Sequence, residues 1–338
     1  MYPRYPWFRW LLALSLILLL AAILFASAIG FTVLSPARIV KIFLSGLTGR
    51  AVNSADYIII WEVRLPRVFL AGLVGASLAL AGSLLQVVLE NPLADPYLLG
   101  VSAGAGMGAA IVMLTKTISR SIWGIPLGAF CGAILSVMLV YFLSRQQGIL
   151  SSLRLILYGV AIGSMLTAIL SFLLLKNHQK TINVFYWMLG SVSGKGWQAV
   201  VLLFLTYVFA WRYVSRQAIK LNAMLLGEEN SYHLGIDVFQ LKKRLLWCSS
   251  VLTAAAVAYS GLIPFVGLIV PHACRLLIGA DHRRLLLLTP ILGAILLISC
   301  DTVARVFFLP GEIPVGIITS LIGGPVFVFL LSREGKNC

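Results

Sequence analysis

Two arginines at the start of a long apolar stretch are the first residues whose type and spacing suggest chemistry. Arg64 and Arg67 flank Pro66 in the string RLPR. A guanidinium can donate two parallel hydrogen bonds to a carboxylate, so such a pair at a helix mouth can bind an acidic partner. The same residues can instead anchor the helix end by extending their charged heads to a membrane surface. The residues alone leave both interpretations open.

A second group of charges, Asp301 and Arg305, lies in an apolar stretch near the other end of the chain. The two residues are four positions apart, which places them on one face of a helix and within reach of each other. Because an isolated charge in a spanning helix is costly, a local partner is expected. The spacing therefore predicts an ion pair between Asp301 and Arg305.

The stretch ENPLADPYLLGVSAGAG (90–106) separates two apolar stretches with prolines, carboxylates and closely spaced glycines. Pro92 disfavours helix at the residue before it, so the preceding helix must end there. Asp95 precedes Pro96, which is typical of a helix start. Glycines then recur every four residues and predict a smooth helix face on which another helix packs. They are Gly100, Gly104 and Gly108.

The remaining residues indicate neither a catalytic nor a metal site. The five cysteines lack the spacing of metal ligands, and no base lies beside a nucleophile as an enzyme would need. A Walker-type phosphate loop is missing too, since the closest string, GSVSGKG (190–196), has the wrong spacing. If ATP drives this protein, another chain must hydrolyse it.

The composition places the chain in a membrane. Its 338 residues are 60% hydrophobic and 11% charged, whereas a soluble domain carries about 25% charged residues. Repeated apolar windows of roughly 20 residues predict an all-α polytopic membrane protein with one membrane domain over 1–338. The net charge of +15 is spread singly over the connecting loops, so it does not indicate a nucleic-acid partner.

Ten spanning helices are predicted, and charge placement orients them. They cover about 10–32, 66–88, 98–115, 124–144, 155–175, 198–214, 245–261, 264–279, 285–306 and 315–332. With the N-terminus in the cytoplasm, inner segments carry 15 of the 26 Lys and Arg residues, which is the expected bias. An even count places both termini in the cytoplasm, the segment 33–63 outside and the long polar loop 217–244 inside.

Composition alone leaves two other classes open, an ion-coupled secondary transporter and a membrane-embedded enzyme. The transporter would need ionisable residues deep in the bundle to bind the coupling ion. Asp301 and Arg305 are the deepest candidates, but they lie near one end and can neutralise each other. The enzyme would need reactive groups that the sequence does not offer.

Five blocks of sequence resemble a known family. They are RLPRVFLAGLVGASLALAGSLLQVVLENPLADPYLLGVSAGAGMG (64–108), LRLILYGVAIGSML (153–166), YWMLGSVSG (186–194), PFVGLIVPHACRLLIGADHRRLLL (264–287) and DTVARVFFLPGEIPVGIITSLIGGPVF (301–327). In this order they resemble the FecCD-type membrane permeases of bacterial ABC importers for iron-siderophores, haem and cobalamin. The resemblance extends from about residue 60 to residue 332.

The resemblance implies a type II importer permease fold, with ten spans per subunit and a second copy or close homologue as dimer partner. Two ATP-binding subunits in the cytoplasm would bind ATP and Mg²⁺, while this chain would hold no cofactor and no metal. A substrate-binding protein would deliver cargo outside the bacterial cytoplasmic membrane. The expected cargo is an iron-siderophore or similar metal chelate, with haem, cobalamin and oxyanions as alternatives.

The resemblance also implies roles for charged and polar residues at the two ends of the bundle. Arg64, Arg67 and Arg305 would dock the binding protein at the outer face. Ser151 and Ser152 would lie at a cytoplasmic gate where the fifth span begins. From the residues alone, these serines can equally cap that helix.

The loop LGEENSYHLGI (226–236) is by composition a solvated acidic turn. The resemblance makes it a coupling segment seated in a groove of the ATPase. Its glycines would supply turns, Glu228 a helix start and Leu234 an apolar contact. The predicted coupling residues are Gly227, Glu228, Glu229, His233, Leu234 and Gly235.

Overall fold

The apolar stretches fold into helices close to the predicted positions in a computed structural model of the chain. The structure describes residues 7–29, 36–47, 55–115, 123–146, 149–307 and 311–334. The helices that correspond to the ten predicted spans are α1 (Trp7–Ala28), α4 (Leu65–Val88), α5 (Val101–Leu114), α6 (Gly124–Ser144), α7 (Ser152–Lys176), α9 (Gly196–Ser215), α12 (Val238–Ser260), α13 (Val266–Ile278), α14 (His282–Val306) and α15 (Val315–Glu334).

Shorter elements connect these helices. They are α2 (Pro36–Leu47), α3 (Ala55–Tyr57), a π-helical turn (Ile58–Arg64), a 3-10 turn (Pro96–Leu99), α8 (His178–Met188), α10 (Ala218–Met224) and α11 (Glu228–His233). Within the described ranges, β structure is limited to β1 (Arg145–Gln146) and β2 (Ile149–Leu150), which pair antiparallel. The prediction of an all-α polytopic chain is therefore confirmed.

Seven described helical segments are long and apolar enough to cross a membrane. They are Trp7–Ala28, Ile58–Val88, Gly124–Ser144, Ser152–Lys176, Gly196–Ser215, His282–Val306 and Val315–Ser332. The other three predicted spans differ for separate reasons. Helices α5 and α13 have only 14 and 13 residues, and α12 has 23 residues but begins with the charged string Lys242, Lys243 and Arg244 in its first turns.

Three helix starts differ from the sequence prediction. Helix α12 begins at Val238 rather than near 245, because the Asp237 carboxylate accepts a hydrogen bond from Gln240 N and caps the helix there. Helix α5 begins at Val101 because Gly100 has a left-handed backbone with φ of 75°. Helix α4 continues directly from the π-helical turn Ile58–Arg64, so the helical segment extends into the predicted outer segment 33–63.

Helix α4 forms the centre of the bundle and is buried along almost its whole length. Helices α9, α12, α13 and α14 pack around it. The approach of α14 is so close that a methyl group built on Gly75 would collide with the carbonyl of Gly293. Small residues at such crossings let two backbones touch, which is how helices gain packing energy in lipid. This central helix holds Arg67 near one end and lies beside Glu90 at the other.

The α5–α6 pair repeats this close approach. Gly104 faces Gly132, and Gly108 faces Gly128, with carbonyl oxygens where side chains would otherwise stand. Gly100 precedes α5 but continues this row, since a Cβ built on it would lie 2.9 Å from the Ser136 hydroxyl of α6. It forms the left-handed residue before α5, and its carbonyl accepts a hydrogen bond from the Ser136 hydroxyl at 2.9 Å.

Candidate functional site

Arg67 holds two carboxylates at the end of the bundle that is predicted to face outward. Its Nη2 lies 2.9 Å from Asp301 Oδ1, and its Nη1 lies 2.8 Å from Glu312 Oε2. Nη1 also donates to the Ser193 hydroxyl at 3.3 Å. The guanidinium is therefore used on both of its edges, in the forked geometry that makes arginine–carboxylate contacts strong. We call Arg64, Arg67, Asp301, Arg305 and Glu312 the outer cluster.

Arg64 and Arg305 join this cluster to the last turn of α1. Arg64 Nη1 donates to Ser27 O at 3.0 Å, and Arg305 Nη2 donates to Ala26 O at 2.8 Å. These carbonyls belong to a helix end, where backbone acceptors lack intrahelical partners and cations are favoured. Arg305 also lies 3.3 Å from Asp301, which confirms the predicted ion pair.

The outer cluster thus brings together the three arginines that were predicted to dock a binding protein. They are only 6 to 8% exposed, and each contacts an internal acceptor. Glu312, by contrast, is 47% exposed. A partner approaching this face would therefore meet Glu312 and the ends of the arginines rather than extended basic side chains.

A cavity of about 770 Å³ lies between the 3-10 turn, α5, α7 and the start of α13. Helix α7 contributes Gly163, Ser164, Thr167 and Ser171, so its wall is small and weakly polar. The Thr167 hydroxyl donates to Gly163 O at 2.8 Å within the helix. The lining residues include no Lys or Arg among the described positions. Several apolar side chains of α7 are exposed beside this wall in the single chain.

The turn that forms one wall of the cavity is held by Asp95 and Tyr97. The Asp95 Oδ1 accepts from Tyr97 N at 2.8 Å, which confirms the predicted helix start, although the helix is a single 3-10 turn. The Tyr97 hydroxyl donates to Ile263 O at 3.1 Å and accepts from Ile263 N at 3.0 Å. Burial raises the pKa of Asp95 to about 6, and the bond from Tyr97 N opposes this rise only in part.

Ser151 and Ser152 lie where α7 begins. Ser151 occupies the N-cap position, but its side chain makes no capping hydrogen bond. The Ser152 hydroxyl instead donates to Val88 O, at 3.3 Å, in the last turn of α4. Both residues are half-buried. The alternative that these two serines cap α7 with their side chains is therefore wrong.

The loop 217–244 folds into α10, α11 and the first turns of α12. Gly227 and Gly235 bound α11 with φ of 96° and 77°, values that favour glycine because a Cβ is disfavoured there. Glu228 and Glu229 fill the first turn of α11, where carboxylates interact well with the helix dipole. The Ser231 hydroxyl donates to Ala223 O at 3.0 Å and fastens α11 to α10.

Large apolar side chains point outward from this loop. Leu226, Tyr232 and Leu234 are 61 to 73% exposed, and His233 beside them is exposed as well. Single exposed apolar residues are common on protein surfaces, but a group within one short loop marks an interaction surface. Of the predicted coupling residues, His233 and Leu234 belong to this exposed group. The glycines and glutamates instead shape the loop that presents it.

Lys242 is a residue whose importance the sequence prediction missed. Its side chain is 3% exposed, and its Nζ contacts the carboxylates of both Glu90 and Glu228. We call these three residues the inner cluster. The sequence prediction began this helix near residue 245, so Lys242 fell in the preceding loop. The signal was Asp237, since a helix capped there puts Lys242 on the same face as the buried Leu245 and Leu246.

Comparisons with known proteins agree with this architecture. The model of the FecCD transport family matches residues 18–333. The chain is 41% identical to the cobalamin import system permease of Halobacterium salinarum over 256 residues, covering 76% of this chain and 68% of that protein. It is 37% identical to the vitamin B12 import system permease of Vibrio cholerae over 290 residues, covering 85% and 87%.

A solved structure is similar over almost the whole chain. It is an inward-facing metal-chelate type ABC transporter with a TM-score of 0.84 and 30% identity, covering 96% of this chain and 99% of that one. The expected permease fold is thereby confirmed, and the chain is a permease subunit of an ABC importer. With nearly its entire length matched by one family model, the chain belongs to the FecCD transport family.

Proposed function

We propose that this permease subunit pairs with a second copy of itself and moves a metal chelate into the cytoplasm along the interface between them. The observation that carries this proposal is the cavity of about 770 Å³, whose α7 wall is exposed in the single chain. Ligand cavities of this kind usually measure roughly 300–1,000 Å³ and enclose most of their ligand. A second copy facing α7 would close the cavity and cover the exposed apolar residues.

Two metal chelates are the leading cargo candidates. The family resemblance favours a ferric siderophore, while the permeases of Halobacterium salinarum and Vibrio cholerae, which are described as cobalamin and vitamin B12 importers, favour a corrinoid. A small-residue, hydroxyl-bearing wall suits a bulky solute that must slide without being held. An oxyanion fits less well, because the described lining offers no Lys or Arg to pair with it.

Two ATP-binding subunits, which hold ATP and Mg²⁺, supply the energy in this proposal. The exposed side chains of Leu226, Tyr232 and Leu234 provide an apolar surface for a groove in such a subunit. Ser151 and Ser152 would lie at the cytoplasmic gate, next to the last turn of α4. In this proposal both termini and the loop 217–244 lie in the cytoplasm.

A substrate-binding protein delivers the cargo at the opposite face, in the bacterial cytoplasmic membrane. The outer cluster supports this role because it gathers three arginines at one end of the bundle. Since Glu312 already contacts Arg67, an incoming carboxylate would replace or join it there. Docking would then exchange one ion pair for another.

Reconstitution tests the proposal directly. The chain is placed in proteoliposomes with its ATP-binding subunit and binding protein, and uptake of radiolabelled cobalamin and of a ferric hydroxamate is measured. We expect ATP-dependent uptake of one chelate, absent with a hydrolysis-deficient ATP-binding subunit and insensitive to ionophores. Uptake driven by an ion gradient without ATP would overturn it in favour of a secondary transporter. Uptake of an inorganic oxyanion alone would overturn the cargo assignment.

A further inference from the structure

The inner cluster joins three parts of the chain that are far apart in sequence. Lys242 lies on α12, Glu90 follows the last turn of α4, and Glu228 is the first residue of α11. The two carboxylates are about half-exposed, at 54% and 49%, whereas the lysine is 3% exposed. One buried cation is therefore shared by two acids that water can reach.

The cluster is held by its charges. A lysine is rarely buried without a partner, because removing an ammonium from water is costly unless opposite charges compensate. Burial alone would raise the pKa of Glu228. The hydrogen bond from Lys242 and the positive charge of the lysine outweigh that effect, so the pKa of Glu228 lies below its ordinary value. Both carboxylate positions therefore depend on Lys242.

The Glu90 side of the cluster leads to the cavity wall. Glu90 has a φ of 51°, which is uncommon for a residue with a side chain and costs backbone energy that its surroundings must offset. The turn that follows is short, and by Asp95 and Tyr97 the chain already lines the cavity. The Tyr97 hydroxyl bonds to both the N–H and the C=O of Ile263. This part of the wall therefore moves as one unit with the segment before α13.

The Glu228 side leads to the surface proposed to receive the ATP-binding subunit. Helix α11 is only six residues long and carries Tyr232, which is 73% exposed. Side-chain bonds hold it to α10, where the Ser231 hydroxyl donates to Ala223 O, and to α12, where Lys242 donates to Glu228. A displacement of α11 therefore acts directly on Lys242 through Glu228, as well as on α10 through Ser231.

We propose that Lys242 is a positioning residue that links the coupling helix α11 to the cavity wall, through Glu228 on one side and Glu90 on the other. This inference rests on the proposed function, because it takes α11 as the contact for the ATP-binding subunit. When α11 moves with its partner, Lys242 follows Glu228 and its hold on Glu90 changes. The turn at Glu90 then has two discrete arrangements: a left-handed one held by the ion pair, and an ordinary one adopted on release.

The proposal predicts a specific loss in the fully assembled transporter. Lys242→Met keeps the length of the side chain and removes its charge. We expect the ATP-binding subunit to co-purify as before, while cargo uptake per ATP hydrolysed falls by about tenfold, within the usual range of coupling between sites. Lys242→Arg should recover most of the ratio because it keeps the cation. A role in folding alone would lower assembly and leave the ratio for assembled complexes unchanged.

The matched control is Lys243→Met, one residue further along the same helix, which should change the ratio by less than about twofold. Glu90→Gln provides a second variant at a half-exposed turn, where loss of the fold is not a concern, and it should also lower uptake per ATP. The double variant Glu90→Gln with Lys242→Met should lower uptake per ATP little more than Lys242→Met alone, because both changes break the same contact. Wild-type uptake per ATP in both Glu90→Gln and Lys242→Met would overturn the inference. Absence of ATP-dependent uptake by the unmodified protein would instead overturn the proposed function.

Discussion

The outer and inner clusters sit at opposite ends of α4 and solve the problem of buried charge in different ways. Outside, Arg67 and Arg305 share Asp301, and Arg67 also binds Glu312. Arg64 and Arg305 donate to backbone carbonyls of α1. Inside, a single lysine contacts two half-exposed glutamates. Arginine offers a rigid fork of donors, whereas lysine is a compact point charge on a flexible stem. In the outer cluster the buried pair of Arg67 and Asp301 is therefore a fixed brace, to which the exposed Glu312 adds an exchangeable contact, whereas the whole inner cluster is exchangeable.

The strongest test of this contrast is stability. Arg67→Met leaves Asp301, which is 2% exposed, without its forked partner, and we expect the free energy of unfolding to fall by about 3–5 kcal/mol. The expected readout is a large drop in Tm in detergent, together with poor expression. Adding Asp301→Asn should recover part of the loss, since the buried carboxylate, which then keeps only Arg305 as its partner, is neutralised. A Tm unchanged by Arg67→Met would mean that the outer cluster is not a brace.

The second test concerns docking at the outer face. Arg64→Glu should weaken binding-protein affinity by roughly 2–5 kcal/mol and reduce its salt dependence, because a carboxylate on the partner loses its cation. Lys195→Glu is the matched reversal outside the cluster and should cost far less. Affinity for the reconstituted transporter is measured at two salt concentrations, with variants of unchanged Tm only. Equal effects of the two reversals would show that Arg64 anchors the helix end and makes no specific docking contact.

Glu312→Gln tests docking at the same face, but it should strengthen rather than weaken binding of the binding protein. Removing the carboxylate that already contacts Arg67 should free one edge of that guanidinium for a partner. We expect binding-protein affinity to rise by about 1 kcal/mol, the scale of one exposed ion pair. A weaker affinity would indicate that Glu312 itself touches the binding protein.

The smallest expected effect is the pH response of the inner cluster. Because the pKa of Glu228 is lowered in the folded chain, its ion pair stabilises α11 above the ordinary pKa and is lost as the pH falls through the lowered one. Protease susceptibility of the loop should therefore rise on acidification below about pH 4.5. The change should stay under about 1 kcal/mol, since the carboxylate is half-exposed. Glu228→Gln should abolish the response, while Glu229→Gln should keep it.

Local spacing predicted those parts of the clusters that lie on one helix. The four-residue interval between Asp301 and Arg305 gave their ion pair correctly, and Asp95 gave a helix start. The contact between Arg67 and Asp301 joins residues 234 positions apart, so no periodicity could reveal it. Lys242 escaped notice for a local reason, because the cap at Asp237 shifts the helix start by two turns.

Backbone conformation limited the prediction of the cavity walls. Phe265 has a φ of 70°, and no sequence rule assigns a left-handed backbone to a phenylalanine. That turn shortens α13 to 13 residues and makes the segment before it part of the cavity lining. Composition and apolar windows predicted the class and the ten helices, and the family resemblance agreed with them, but the lining depends on such positions. They are set by packing between elements rather than by local preference.

The bonds from Arg64 and Arg305 to α1 also bear on the order in which the protein is made. Arg64 is synthesised 37 residues after its acceptor Ser27, whereas Arg305 is synthesised 279 residues after its acceptor Ala26. At about 5–20 residues per second, the second interval lasts on the order of half a minute. The end of α1 is thus fastened in two steps that are far apart in time. Of the two arginine contacts only the one from Arg64 is available during that interval, which makes Arg64 an early contact for α1 in membrane insertion.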